Sequence, residues 1–144
     1  MNYRIRPAAS DDSKQLAGLV EQLGYPADER FIRDQFARLA SRPETMVFVA
    51  DDEGAVIGLL CFSIIPLLHV SGGLGRISAL VVRSQIKGQG VGRRLVAEAE
   101  EFAWNNGCDR IEITSGDHRP DAHAFYEAVG YIQDCRRFIK KRPA

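Results

Sequence analysis

Gly88, Gly90 and Gly92 alternate with Gln89 and Val91, and the run is bracketed by Lys87 on one side and Arg93 and Arg94 on the other. Glycine at every second position removes side chains where a backbone must come close to something. Ahead of the run, Leu80, Val81 and Val82 read as a strand covered on both faces. Behind it, Val91, Leu95, Ala99, Phe102 and Ala103 form an apolar stripe opposite Arg94, Glu98 and Glu101, so a helix opens at the last glycine. Asn105-Asn106-Gly107 supplies a left-handed cap at its end. A helix start carries unpaired N–H groups and the positive end of the helix dipole, and here two arginines add to it. Together they make an anion site suited to a phosphate or pyrophosphate. A glycine turn that binds nothing is the competing reading; the setting between a buried strand and a helix favours the anion site.

Two common phosphate loops do not fit. GxxxxGK[ST] fails because Arg93-Arg94 follows Gly92, and GxGxxG fails because position 93 is arginine. What fits is Lys87-Gly88-Gln89-Gly90-Val91-Gly92, a [Gln/Arg]-x-x-Gly-x-[Gly/Ala] pattern with lysine in first place. It resembles the acyl-CoA pyrophosphate loop of the GNAT superfamily of N-acetyltransferases.

The remaining composition sets bounds. At 144 residues the chain is expected to be a single domain, 1–144, burying roughly two-thirds of its unfolded surface. Nineteen basic residues balance nineteen acidic ones, so no global field favours nucleic acid or an anionic membrane as a partner. The longest apolar run, Ala55 to Leu68, is broken by Gly58, Ser63 and Pro66 and is too short to span a bilayer. The N-terminus has no apolar signal core, and Cys61, Cys108 and Cys135 form no CxxC pair. These features predict a cytoplasmic protein with reduced thiols and no metal.

Taken in order, Asn2 to Arg6 alternates as a short strand, and Ser10-Asp11-Asp12 marks a helix start, with Leu16, Leu19, Val20 and Leu23 as its buried stripe and Gly24 as its end. Asp28 caps a second helix whose stripe is Phe31 or Ile32, then Phe36 and Leu39. Thr45 to Ala50 and Ala55 to Ile65 form a hairpin about Asp51–Gly54, and Pro66 to Gly75 is expected to be a loop carrying His69 and three glycines. After the central strand and helix come a strand at Arg110 to Thr114, a helix at Pro120 to Val129 and a last, basic edge strand at Tyr131 to Lys140. Strand, helix, strand implies a parallel pair joined by a right-handed crossover. The fold class is α/β: a mixed, mostly antiparallel sheet with helices on both faces, which is also the GNAT order.

A second matching piece is Ala122-His123-Ala124-Phe125-Tyr126-Glu127-Ala128-Val129-Gly130-Tyr131, similar to the family's A-x-x-F-Y-E-x-x-G-[Phe/Tyr] signature. The two signatures cover most of residues 76–131. The resemblance implies that the pyrophosphate of CoA lies on backbone N–H groups of Gly88, Gln89, Gly90, Val91, Gly92, Arg93 and Arg94, beside Lys87. It implies that the pantetheine arm meets the main chain at Leu80, Val81 and Val82, in an opening where the central strand and its parallel neighbour splay apart. Tyr126 matches the tyrosine that protonates the CoA sulfur. His118 stands eight residues before it, where family members often carry asparagine, and is counted among the CoA contacts.

Acetyl transfer to an amine needs a deprotonated amine, a stabilised oxyanion and a proton for the departing thiolate. By the resemblance, a backbone N–H on a bulged central strand serves the oxyanion. A phenol of pKa about 10 giving its proton to a thiolate of about 8.5 goes uphill by roughly 2 kcal/mol, small against a chemical barrier. Arg76-Ile77-Ser78-Ala79-Leu80 offers no carboxylate as base, and His69, His118, His123 and Glu112 are the weaker candidates. The expected function is transfer of acetyl from acetyl-CoA to a primary amine, on a small molecule, by direct attack in a ternary complex. A CoA-binding regulatory or interaction module is the alternative. By analogy with the family, the C-terminal edge strand could pair two copies into a homodimer.

Overall fold

The computed structural model describes residues 1–114, 120–134 and 137–144, without the side chain of Pro120. Residues 1–114 make one compact unit and residues 115–144 a second. The first unit is a five-stranded sheet in the order β1 (Arg4–Pro7), β2 (Thr45–Asp52), β3 (Ala55–Leu67), β4 (Val70–Val82) and β5 (Arg110–Ile113). The pairs from β1 to β4 are antiparallel, and β4 with β5 is parallel. Helices α1 (Ser13–Leu23) and α2 (Glu29–Ala40) join β1 to β2, and α3 (Val91–Asn105) joins β4 to β5. This is the expected mixed sheet.

Alternation along the strands sends side chains to two cores. On one face, Val49, Leu59 and Val81 pack with Leu16, Ala17 and Leu19 of α1 and Ile32 of α2. Ile32, not the half-exposed Phe31, is therefore the buried residue of the α2 stripe. On the other face, Phe102 of α3 meets Phe48 and Phe62 edge-on, with centroids 6.1 and 5.7 Å away. Such aromatic pairs add about 0.5–1.5 kcal/mol each beyond simple burial. Gly58 of β3 lets α3 approach: a Cβ there would stand 3.0 Å from Leu95 Cδ1 and 3.3 Å from Val91 Cγ1.

Asp28 caps α2 as expected, accepting the Phe31 N–H at 2.8 Å. The start of α1 differs. Ser10–Asp12 is a 3-10 turn ahead of the helix, and Asp12 rather than Ser10 closes it, by accepting the Ala9 N–H at 2.7 Å. Asp12 is held there because Arg6 donates to both of its oxygens at 2.9 Å while also donating to Asp51 at 2.9 Å. Hydrogen bonding to Arg6 holds both carboxyls below the usual carboxylate range. A carboxyl depressed in the folded state stabilises the protein above its unfolded value, and that contribution is lost as pH falls through the folded value. Stability should accordingly fall as the pH drops below about 3.9. Asp12→Asn should flatten that acid limb in denaturant titrations while costing about 1–3 kcal/mol at neutral pH.

The expected loop at Pro66–Gly75 is instead a continuation of the β3–β4 hairpin, with Leu68 and His69 at its tip. Its glycines are absorbed as a strand irregularity: Leu67 pairs with Val70, Ile65 with Leu74, and Gly72 and Gly73 take φ of +82° and +83° between them. Gly72 also abuts the turn after α3, where an added Cβ would overlap the Gly107 carbonyl oxygen. Gly72→Ala combines that overlap with a left-handed backbone, and should cost about 3 kcal/mol or more in chemical denaturation.

In the second unit, α4 spans Pro120–Ala128, and Gly130 follows at φ +100°. The expected last strand is corrected: residues 131–134 and 137–144 contain no strand. Alternation alone does not make a strand, which exists only through a hydrogen-bonded neighbour. Ile132, Phe138 and Ile139 are exposed. No helix among the described residues is long and apolar enough to cross a membrane.

Candidate active site

Among the described residues, β4 and β5 pair from Leu74–Arg110 to Ile77–Ile113, and β4 then continues to Val82 paired with β3. The change of partner coincides with a bulge. Cys61 faces Ala79 and Phe62 faces Ile77, leaving Ser78 as the extra residue. Beyond the bulge, Arg83 donates its N–H to Ile57 O at 2.8 Å, so in register residues 79, 81 and 83 turn their polar backbone toward β3. Leu80 and Val82 therefore turn their N–H and C=O groups to the β5 side of the strand, beyond the last described pair with β5. Val81, expected beside them as a main-chain contact, faces β3 with its backbone and the α1 core with its side chain.

The strand passes through a 3-10 turn, Ser84–Ile86, into the glycine run. Gly88 and Gly90 take φ of +83° and +86°, and a Cβ on either would meet nothing within 4 Å. The left-handed backbone favours glycine there, and among the described residues nothing stands against the loop where those side chains would be. Val91 anchors the start of α3 with 1% of its surface exposed, while Lys87, Gln89, Arg93 and Arg94 are exposed. No side chain among the described residues caps the helix. As at any helix start, the N–H groups of Val91, Gly92 and Arg93 have no intrahelical acceptor, and none among the described residues supplies one from outside. Arg94 differs from them: its N–H donates to Gly90 O at 3.1 Å, and its guanidinium lies 4.8 Å above the ring of Tyr3. The cradle of amides thus ends at Arg93.

Tyr126 lies on α4, half-buried, with its ring edge-on to Phe125 at 5.6 Å. His118 falls outside the described residues. His69 is at the exposed hairpin tip and His123 on α4. Glu112 is exposed with a carboxylate oxygen 3.8 Å from Arg76, which also donates to Thr114 Oγ1 at 2.8 Å. Gly75 lies under the Phe62 ring on the α3 side, so its neighbour Arg76 points to the opposite face, the one that carries α1 and α2. Cys61 accepts through its carbonyl from Ser78 Oγ at 3.5 Å, and burial pushes its thiol up to about 11. No group of His, Cys, Asp or Glu among the described residues could hold a metal ion.

Two features of this site are not visible in the sequence. The bulge at Ser78 has no residue signature. Gln22, at the end of α1, reads as a surface residue, yet it bonds the main chain at Val82 and Ser84.

Among the described residues, then, the β4 edge beyond its last pair with β5 runs into a helix start whose first amides carry no side-chain cap. Residues 13–131 match the acetyltransferase (GNAT) family, and the chain belongs to that family of N-acetyltransferases. Among its relatives, the aminoalkylphosphonate N-acetyltransferase of Salmonella typhimurium is 34% identical over 137 residues, covering 94% of this chain and 89% of the relative. Glucosamine 6-phosphate N-acetyltransferase 1 of Oryza sativa is 31% identical over 140 residues, covering 91% and 82%. A putative acetyltransferase from Agrobacterium tumefaciens superposes with a TM-score of 0.88 at 26% identity, covering 96% and 99%. An aminoglycoside N-acetyltransferase solved with CoA shares the fold at a TM-score of 0.86 and 18% identity, covering 99% and 96%.

Proposed function

We propose that this enzyme transfers the acetyl group of acetyl-CoA to the primary amine of a small molecule bearing a phosphate or phosphonate, by direct attack in a ternary complex, with the whole chain working as one domain. The carrying observation is the row of outward-facing backbone groups from Leu80 through Val82 to the amides of Val91, Gly92 and Arg93. In this reading the amides from Gly88 to Arg93 bind the diphosphate, helped by Lys87 and the helix dipole. Leu80 and Val82 bond the amides of the pantetheine arm as a neighbouring strand would.

The Ser78 bulge directs a backbone N–H at the carbonyl oxygen as it gains charge, and Tyr126 delivers the proton to the leaving sulfur. Two relatives at 34% and 31% identity are named for amines that carry a phosphonate or phosphate, which supports that acceptor class. On this chain, Arg76 stands two residues before the bulge, with one guanidinium nitrogen on Thr114 Oγ1 at 2.8 Å and another 3.8 Å from Glu112, and in this reading it is the cation that meets such an anion. Thiol release from acetyl-CoA should be fast with aminoalkylphosphonates or amino-sugar phosphates and slow with their dephosphorylated counterparts. Equal rates with both sets would refute the acceptor class, and no release with any amine would refute the transfer itself.

A further inference from the structure

The side-chain amide of Gln22 donates from Nε2 to Val82 O at 2.7 Å and accepts the Ser84 N–H on Oε1 at 3.1 Å. A carbonyl and the N–H two residues on are the pair that one residue of a parallel strand engages, so Gln22 acts as such a residue on the β5 side of β4, beyond the last described β4–β5 pair. It closes that edge at its far end. Among the described residues, the edge groups still facing outward are the N–H and C=O of Leu80 and the N–H of Val82. Gln22 also fixes the peptide at which β4 turns into the 3-10 turn that leads to the glycine run.

We propose that Gln22 is a positioning residue for the acyl carrier. It sets both where the arm's strand-like pairing stops and where the diphosphate cradle stands relative to it. The proposal rests on the reading of the β4 edge and the α3 start as the CoA site. A separate comparison comes from the same helix. Gln15, seven residues earlier, makes the same kind of clamp, donating to Gly54 O at 3.2 Å and accepting the Val56 N–H at 2.8 Å. Both glutamines dock α1 on the sheet, but only Gln22 touches the edge that would carry ligand.

Calorimetry with CoA and steady-state kinetics on the full chain separate positioning from docking. Gln22→Ala should weaken CoA binding and raise the KM for acetyl-CoA about tenfold, with kcat within about twofold. Gln22→Glu keeps the acceptor for Ser84 and loses the donor to Val82, so its loss should be intermediate. Gln15→Ala should lower the melting temperature as much as Gln22→Ala and leave CoA affinity unchanged. Wild-type affinity in Gln22→Ala, or an equal loss in Gln15→Ala, would reduce the clamp to helix docking and overturn the proposal. Absence of CoA binding by the wild-type chain would instead overturn the functional reading on which it rests.

Discussion

Gly90→Asp is expected to abolish coenzyme A binding, by more than 100-fold, while leaving the protein folded. Gly90 sits at φ +86°, in a conformation that aspartate tolerates better than most residues, and a Cβ there meets no neighbouring atom within 4 Å. A carboxylate beside the first turn of α3 interacts favourably with the positive helix end, offsetting much of the backbone strain. Net stability should stay within about 1 kcal/mol of wild type. The ligand meets the opposite effect. Two like charges about 5 Å apart at an effective dielectric of about 20 repel by roughly 3 kcal/mol, and the carboxylate also competes for the amides of Gly92 and Arg93. Gly90→Asn has nearly the same shape without the charge and should keep most of the affinity. Calorimetry with CoA and a thermal melt on both variants decide the matter; comparable binding by Asp and Asn would remove the diphosphate from this helix start.

The second large effect is on turnover alone. Tyr126→Phe keeps a ring for the edge contact with Phe125 and removes the phenolic proton. If that proton goes to the leaving sulfur, kcat should fall about 100-fold, within the usual range for loss of an acid, with the KM for acetyl-CoA little changed. The deficit should shrink with acetyl donors whose thiol is more acidic, because a better leaving group needs less protonation. A variant within twofold of wild-type kcat would assign the residue to packing.

Local signals are legible in the chain and long-range ones are not. The glycine run and α3 could be located because a helix start, its apolar stripe and the cap at Gly107 are written in neighbouring residues. The stretch from Pro66 to Gly75 reads as a loop because glycine ordinarily signals one. Here Gly72 is needed for its fit against Gly107, a contact made across the whole of α3. The alternation from Tyr131 onward predicts a strand, but periodicity carries no information about pairing, and residues 131–134 and 137–144 form none. Ser78 and Gln22 were invisible for a related reason. One is defined by the register of β4 on β3, the other by partners some sixty residues away in the chain. The open edge could be reached only through the family resemblance, and the structure adds which of its residues face outward.

The burial of Cys61 has a practical consequence at the bench. With its pKa pushed up to about 11, the side chain is ionised in only about one molecule in ten thousand at pH 7. Disulfide reagents of the kind that turn yellow on meeting free CoA react through thiolates, so this cysteine should contribute almost no background colour. Burial, and then the charge of Asp109, also raise the Cys108 thiol, so it should react more slowly than an ordinary exposed cysteine.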